Sequence, residues 1–515
     1  MNTFDLLSIP RDLTIVILQQ LSVIDISQFL CTSRDIRNKI TDIINTQNDC
    51  TNSPFLKDEH EIKTIPHLIS YARAHNSILF KIAHISIEME LQTYISSPHH
   101  QYISHENKKC VSLIIPISFD NHLKMVPLFT DKNKPLFDNL KCVKYNQRMY
   151  DVIETTIFSG VHSLHVNCNM FKSKQLRELM HLRELYIPNS MCVKSVAMLG
   201  DLHVLDISYC MRVRDVSALG RVHKLNISYT RVRDVKALAN VYELDISHCN
   251  LITDVNVLTG VKKLICRNLD SYISVHGLKN IPSLNLHNSR NILNAHSLGN
   301  NELLILGLVP SVSEASIFKR VKVLDLSGTS ITDVSALGDV YDLNISFTEV
   351  SDVSALGRVH KLDLSSCYKI NDFSMLGNVH TLILKSTNIT DVSALVNVHT
   401  LDLSFTHVID VSPLINVHNL SLFASFKFYG LGLKNLVSVR ELNLSGTRTL
   451  DLNCINCTNL HTLNLTHCKY IKRFCTFKDT HIHTLILDDV DVPNIDDYKH
   501  IKNISFKKQV LPKKI

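Results

Sequence analysis

A chain of 515 residues, 45% of them hydrophobic and 20% charged, has enough apolar material for an extended core. Its formal charge of +6 is small for that length and forms no basic stripe with interleaved aromatics, which argues against a nucleic-acid partner. There is no run of 18 uncharged apolar residues and no basic, apolar leader, so no membrane partner is expected and the 14 cysteines are read as reduced thiols in a cytoplasmic or nuclear setting.

Residues 1–44 carry a helical period. Ser8-Ile9-Pro10 is a helix-start signal, and Leu13, Ile17, Leu18 and Leu21 then share one helical face. Asp25 with Gln28 forms a capping-box pair for a second helix bearing Ile26, Phe29 and Leu30. Ser33 opens a third, with Ile36, Ile40, Ile43 and Ile44 at helical spacing.

This order of residues resembles the F-box: Ile9-Pro10-Arg11-Asp12-Leu13, Ile17-Leu18 and Leu21, Asp25-Ile26, Leu30, then Ser33-Arg34-Asp35-Ile36-Arg37. Ile9 departs from the usual leucine, and Ile36 stands where tryptophan is common. The resemblance implies a docking face for a Skp-type adaptor made of Ile9, Pro10, Leu13, Ile17, Leu18, Leu21 and Leu30. The competing reading is a three-helix cap on whatever follows. Residues 45–160 read as a linker domain or divergent first repeats, with a helix over 64–74 and a strand from Val111 interrupted at Pro116.

From residue 161 to 506 the motif Leu-x-[Leu/Ile]-x-x-[small] recurs seventeen times, from Leu164 to Leu485, in steps of 19 to 22 residues; Leu140 and Ile504 extend it as degraded end units. In the unit from Val359 to Leu376, alternation places Val359, Leu362 and Leu364 inward from a short strand, and Ile370, Phe373 and Leu376 fill the rest of the coil. One unit cannot bury that stripe alone, but a stack can. Where threonine takes the small position the step is 19 (Thr230), and where cysteine takes it the step is 20 (Cys210). Asp215, Asp234, Asp254, Asp333, Asp352, Asp372, Asp391 and Asp410 each precede a short helix-compatible run, which is an N-cap pattern. The array loses its regularity near Asn301–Leu308 and again over Ser421–Leu436, which carries Phe423, Phe426, Phe428 and Tyr429.

The pattern resembles the leucine-rich-repeat family. The expected fold is therefore α/β, a leucine-rich-repeat solenoid with an N-terminal three-helix F-box-like module and a basic tail over 507–515. Together the two parts resemble substrate receptors of cullin–RING ubiquitin ligases, most of all the F-box/leucine-rich-repeat proteins of giant DNA viruses of amoebae, whose repeats are also rich in Asn and Ile. The resemblance implies a non-catalytic receptor that recruits adaptor and cullin and presents an unknown protein substrate. The alternative is an interaction scaffold whose N-terminal helices serve only as a cap. The expected substrate surface is the concave strand face, where Asp206, Asn226, Asp245, Asp325, Asn344, Asp363, Asp402 and Asn443 form a polar column with Asn285 and Asn464.

No nucleotide loop, nucleophile elbow or zinc-protease motif is present, and no enzyme, cofactor or metal is expected. The nearest metal pattern is Cys454 and Cys457 with His461, His467, Cys468 and Cys475, but Cys468 falls on the small position of the repeat. His162, His203, His223, His360, His380, His399, His418, His461 and His483 all lie two residues before a repeat leucine. They are read as a stacked column of strand-entry side chains, with a pH sensor or metal ladder as the alternative.

Overall fold

The computed structural model describes residues 155–506, apart from 169–170, 449, 453–454, 456–457, 469, 474–476, 478–479 and 493, together with the backbone of four strands upstream. The F-box-like residues, the cap reading of 1–44, the helix expected over 64–74 and the tail lie outside the described residues.

The chain divides into two compact units, Met1–Ile252 and Thr253–Ile515. Among the described residues each is a stack of leucine-rich-repeat coils. In the first unit, His60–Ile62, Ile85–Glu88, Val111–Ile115 and Cys142–Met149 pair in series, all parallel, and the last of them pairs with Ser163–Cys168. Parallel pairing then continues through Glu184–Tyr186, Val204–Asp206, Lys224–Asn226 and Glu243–Asp245. In the second unit the same ladder runs from Lys263–Ile265 to Asn503–Ser505. The repeat leucines pair with one another throughout, as in Leu205↔Leu225 and Leu362↔Leu382. Ile504 pairs with Leu485 as the last rung. At the other end the residue opposite Leu164 is Val143 rather than Leu140, because Cys142–Met149 is an eight-residue strand and its backbone pairing sets the register.

The inward positions are as the alternation requires. Val359, Leu362, Leu364, Ile370 and Leu376 are fully buried, and Phe373 nearly so. Only three residues of a typical coil are strand, and the return path is a single 3-10 turn such as Ser217–Leu219 or Ser335–Leu337. All eight aspartates of the second column stand at the start of the return, each Oδ1 accepting the backbone N–H two residues on at 2.8–2.9 Å; a 3-10 turn follows six of them, and plain turns follow Asp254 and Asp410. Hydrogen bonding from Ser217 holds the Asp215 carboxyl below its ordinary pKa, and Asp333, Asp352, Asp372 and Asp391 are lowered in the same way by Ser335, Ser354, Ser374 and Ser393.

The irregular unit at Leu304 has a local cause. Asn301 takes the inward position that valine or isoleucine fills elsewhere, such as Val321 or Ile281, and is 1% exposed. Its Nδ2 donates to the carbonyls of Leu278 and Ile281 at 3.1 and 2.6 Å, while its Oδ1 has no partner.

Candidate partner-binding surface

The polar column of the strand face exists, but its first task is structural. Asp206, Asn226, Asp245, Asn285, Asp325, Asn344, Asp363, Asp402, Asn443 and Asn464 are all half-buried. In every one, Oδ1 accepts the N–H two residues on, for example Ser208 to Asp206 at 2.8 Å and Ser365 to Asp363 at 2.9 Å. These are Asx turns that close the strand exit. Three residues after the Asx side chain the backbone enters the left-handed region, as at Tyr209 (φ 59°), Phe347 (φ 59°) and Phe405 (φ 59°). What remains for a partner is one side-chain atom per coil, and part of that is also used. Asp206 Oδ2 accepts from Asn226 Nδ2 at 3.2 Å, and Asp402 Oδ2 pairs with Lys385 at 3.2 Å.

One stretch of the column lines a hollow. Thr400, Asp402, Asn419, Ser421, Asn443 and Asn464 border a cavity of about 260 Å³ on the strand face of the second unit. They are cross-linked: Asn419 Nδ2 donates to Thr400 Oγ1 at 3.3 Å, Ser404 Oγ and Ser421 Oγ are 3.0 Å apart, and Asn443 Nδ2 donates to Ser421 Oγ at 3.3 Å. A preformed polar lattice of this kind can meet peptide groups without first reorganising.

The same coils carry an exposed apolar cluster. The step from Leu420 to Leu442 is 22 residues where the preceding one is 19. The surplus is tied down at three points. Ser425 Oγ donates to the Leu403 carbonyl at 2.9 Å, Phe428 is fully buried, and Val411 N–H donates to the Leu431 carbonyl at 3.1 Å. Gly432 makes the close approach possible: φ is 90°, and a Cβ there would sit 2.2 Å from the backbone nitrogen of Ser412. Between these anchors Phe426, Tyr429 and Leu431 are 51%, 57% and 55% exposed, beside Phe405 at 48%. Phe405 meets Phe423 edge-to-face at 5.0 Å, and the Arg448 guanidinium lies 5.5 Å from the Phe426 ring centre. The aromatics mark this unit in the sequence; its anchoring through Ser425, Phe428 and Gly432 is not readable from them.

The histidines stack. Tyr341, His360, His380, His399 and His418 form one column with ring centres 4.5, 4.5, 4.6 and 4.4 Å apart. In the first unit His203, His223 and Tyr242 repeat the pattern at 4.7 and 4.6 Å. Tyr242 and Tyr341 belong to the same slot, which a search for histidine alone misses. Burial lowers the His203 pKa first and the neighbouring His223 adds to it; burial, then His418 and His380, lower that of His399.

Metal ligation finds little here. Among the described residues no group of three or more His, Cys, Asp or Glu is placed to hold an ion. Cys454, Cys457 and Cys475 lie outside the described residues, and Cys468 Sγ is occupied by the Leu444 carbonyl at 3.1 Å. No helix among the described residues is long and apolar enough to cross a membrane.

The leucine-rich-repeat fold has counterparts among solved structures. An internalin of Listeria monocytogenes is 17% identical, with 70% of this chain and 90% of that chain covered and a TM-score of 0.31. A leucine-rich-repeat protein of Leptospira interrogans is 14% identical over 81% and 96%, with a TM-score of 0.37. The mouse RP105/MD-1 complex gives 13% over 79% and 80%, with a TM-score of 0.48. No protein-family model matches the sequence, and no curated protein sequence does.

Proposed function

We propose that the chain is a non-catalytic protein receptor whose partner seats on the coils between Leu401 and Leu463. The observations that carry this reading are a hydrogen-bonding hollow and, on the same coils, an exposed apolar cluster of Phe405, Phe426, Tyr429 and Leu431. Aromatic anchors and a pre-ordered polar floor are what protein interfaces concentrate their binding energy in. An exposed apolar cluster held in place by Phe428 and Gly432 is not loose packing, because the loop is anchored on both sides of it.

The more specific reading is a substrate receptor of a cullin–RING ubiquitin ligase. Its support is the F-box-like order of Ile9, Pro10, Leu13, Ile17, Leu18, Leu21 and Leu30. In that role the chain transfers nothing itself; it raises the effective concentration of substrate near the charged carrier. One observation favours the rival, a scaffold with an N-terminal cap: among the described residues, parallel pairing is already present at His60–Ile62, 16 residues after residue 44, as a cap adjoining the array would require.

Affinity purification of the full chain from cells separates the two. The receptor reading expects a Skp-type adaptor and a cullin with the wild type, both lost in Leu18→Ala with Leu21→Ala. It also expects Phe426→Ala with Tyr429→Ala to keep the adaptor and lose the other partner. A wild-type chain that brings neither adaptor nor cullin leaves the scaffold reading.

A further inference from the structure

Arg212-Val213-Arg214-Asp215-Val216 recurs one coil later as Arg231-Val232-Arg233-Asp234-Val235. Val213 and Val232 are fully buried, so the arginines flanking each are turned outward, and all four are exposed. The Arg231 N–H donates to the Val213 carbonyl at 3.3 Å, which sets the two triplets side by side. Four guanidiniums thus share the surface of two coils spaced ~4.8 Å apart. The repeat does not demand this: the same two positions hold Glu349 and Ser351 around Val350, and Asn388 and Thr390 around Ile389.

The cluster keeps a net positive charge: four arginines stand against the two neighbouring carboxylates of Asp215 and Asp234. Among the described residues none of the four arginines is in an ion pair, whereas nearby Arg221 pairs with Asp201 at 2.7 Å. Asp215 and Asp234, next in sequence, each have Oδ1 committed to a backbone N–H, from Ser217 and Lys236. Beside the arginines lies a cleft of about 530 Å³. Arg214, Arg231 and Arg233 line it together with Tyr229, His248 and Met211, and none of its lining residues is acidic. Tyr209, Tyr229 and His248 stack at 4.0 and 3.9 Å on consecutive left-handed residues, so the aromatic side of the cleft is rigid.

We propose that this cleft binds a phosphomonoester: one phosphate gripped by the arginine forks, on a small organic body that lies against Tyr229, His248 and Met211. Guanidinium forks match phosphate oxygens in geometry as well as charge. A net positive cluster beside low-dielectric walls concentrates anions at the cleft. The basic footprint covers two coils, extended only by Lys194 in the slot preceding Arg214. That is a span of ~10 Å, too short to track a nucleic-acid backbone. The phosphate belongs to a free metabolite or to a phosphorylated protein side chain, and both present the same chemistry.

Isothermal titration of the full chain tests it, with phenyl phosphate, inorganic phosphate, a phosphotyrosine peptide and a single-stranded oligonucleotide as probes. Phenyl phosphate is expected to bind at least tenfold tighter than inorganic phosphate. Arg231→Gln with Arg233→Gln should weaken it about tenfold or more, since two charge-assisted bonds are lost. Tyr229→Ala should erase the preference for the aryl ester and leave inorganic phosphate unchanged. Arg320→Gln, elsewhere on the surface, should change nothing. A peptide that binds tighter than phenyl phosphate places the phosphate on a protein, and equal affinity places it on a small molecule. Circular dichroism of the glutamine pair, compared with Arg214→Gln alone, separates lost binding from lost folding. The proposal fails if phenyl phosphate does not bind, if the glutamine variants bind it undiminished, or if the oligonucleotide binds more tightly through the same arginines.

Discussion

Thr230 and Cys249, one coil apart, converge on a single backbone oxygen. Thr230 Oγ1 donates to the Ile227 carbonyl at 2.7 Å, Cys249 Sγ donates to the same oxygen at 3.1 Å, and the two side-chain atoms are 3.4 Å apart. The motif recurs at Ile345 with Thr348 and Cys367, and at Leu444 with Thr447 and Cys468. Threonine reaches the carbonyl three residues back in its own coil, whereas cysteine reaches across to the previous coil. That difference accompanies the two step lengths: 19 residues follow the threonine of such a pair at Thr230 and Thr348, and 20 follow the cysteine at Cys249 and Cys367.

These thiols should be structural and inert. Burial pushes Cys210 up to about 12 and raises Cys249, Cys367 and Cys468 as well. Since the thiolate is the reactive form, native protein at pH 7.5 should leave these four unlabelled by iodoacetamide while Cys192, which is half-buried, reacts. Peptide mapping by mass spectrometry reads this directly. Cys249→Ala should cost about 1 kcal/mol for the lost bond and buried sulfur, and Cys249→Ser less, as Ser425 makes the equivalent bond to Leu403.

The strand-exit column makes a second prediction, and it corrects the obvious experiment. Reversing Asp363 to lysine removes a charge and an Asx turn together, so lost partner binding would have two causes. Asp363→Asn removes only the charge, because Asn344 and Asn443 hold the same turn with an amide oxygen. Urea unfolding should find Asp363→Asn within about 0.5 kcal/mol of wild type and Asp363→Ala destabilised by about 1 kcal/mol. Equal loss in both would mean that the carboxylate charge, not the turn, is what matters at the strand exit.

Much of this array was legible because repetition averages out noise. The inward Leu, Val and Ile positions and the Asp caps recur often enough that a single exception does not hide the rule. What the sequence concealed is the dual use of a side chain. Asp206 and its counterparts look like free recognition groups on alternation alone; only the backbone geometry reveals that one oxygen is already spent. The left-handed slot was missed for a different reason. It holds Asn189, Tyr209, His248, Leu308, Ser386 and Ala424 among others, with no common chemistry to catch the eye. Its signature is an exclusion: in a chain rich in Val, Ile and Thr, none of the described left-handed residues is β-branched.

That exclusion is testable at Phe347, where φ is 59° and the ring is 67% exposed, so packing contributes little. Phe347→Val should lower stability by about 1–2 kcal/mol, since a β-branched side chain is badly strained in that region. Phe347→Asn and Phe347→Gly should not, and Gly328 and Gly446 hold the slot in other coils. Thermal unfolding of the three variants ranks them, and valine equal to asparagine would mean the coil relaxes out of the left-handed conformation.

The stacked histidines set a pH window. His399 sits between His380 and His418 at 4.6 and 4.4 Å, and its pKa is lowered by burial first and by those two rings next. A histidine with a folded pKa below its unfolded value, ordinarily near 6.5, is neutral in both states above that value and contributes nothing there. As pH falls through the unfolded value, the unfolded chain takes up the proton first, and stability declines until the folded pKa is also passed. The capping aspartates run the other way: their lowered folded pKa values support the fold above the ordinary carboxylate range and fail only at lower pH. The coil that His399 enters should therefore loosen as pH falls from about 7 to 5, before the caps are lost. Hydrogen exchange at those two pH values, corrected for intrinsic rates, should show protection falling at the strand Thr400–Asp402, which His399 enters, and holding at Ser283–Asn285, whose coil has no histidine in that slot. His399→Asn, which cannot take up a proton, should flatten the dependence. An equal fall in both regions would mean that His399 is not the cause of the loosening.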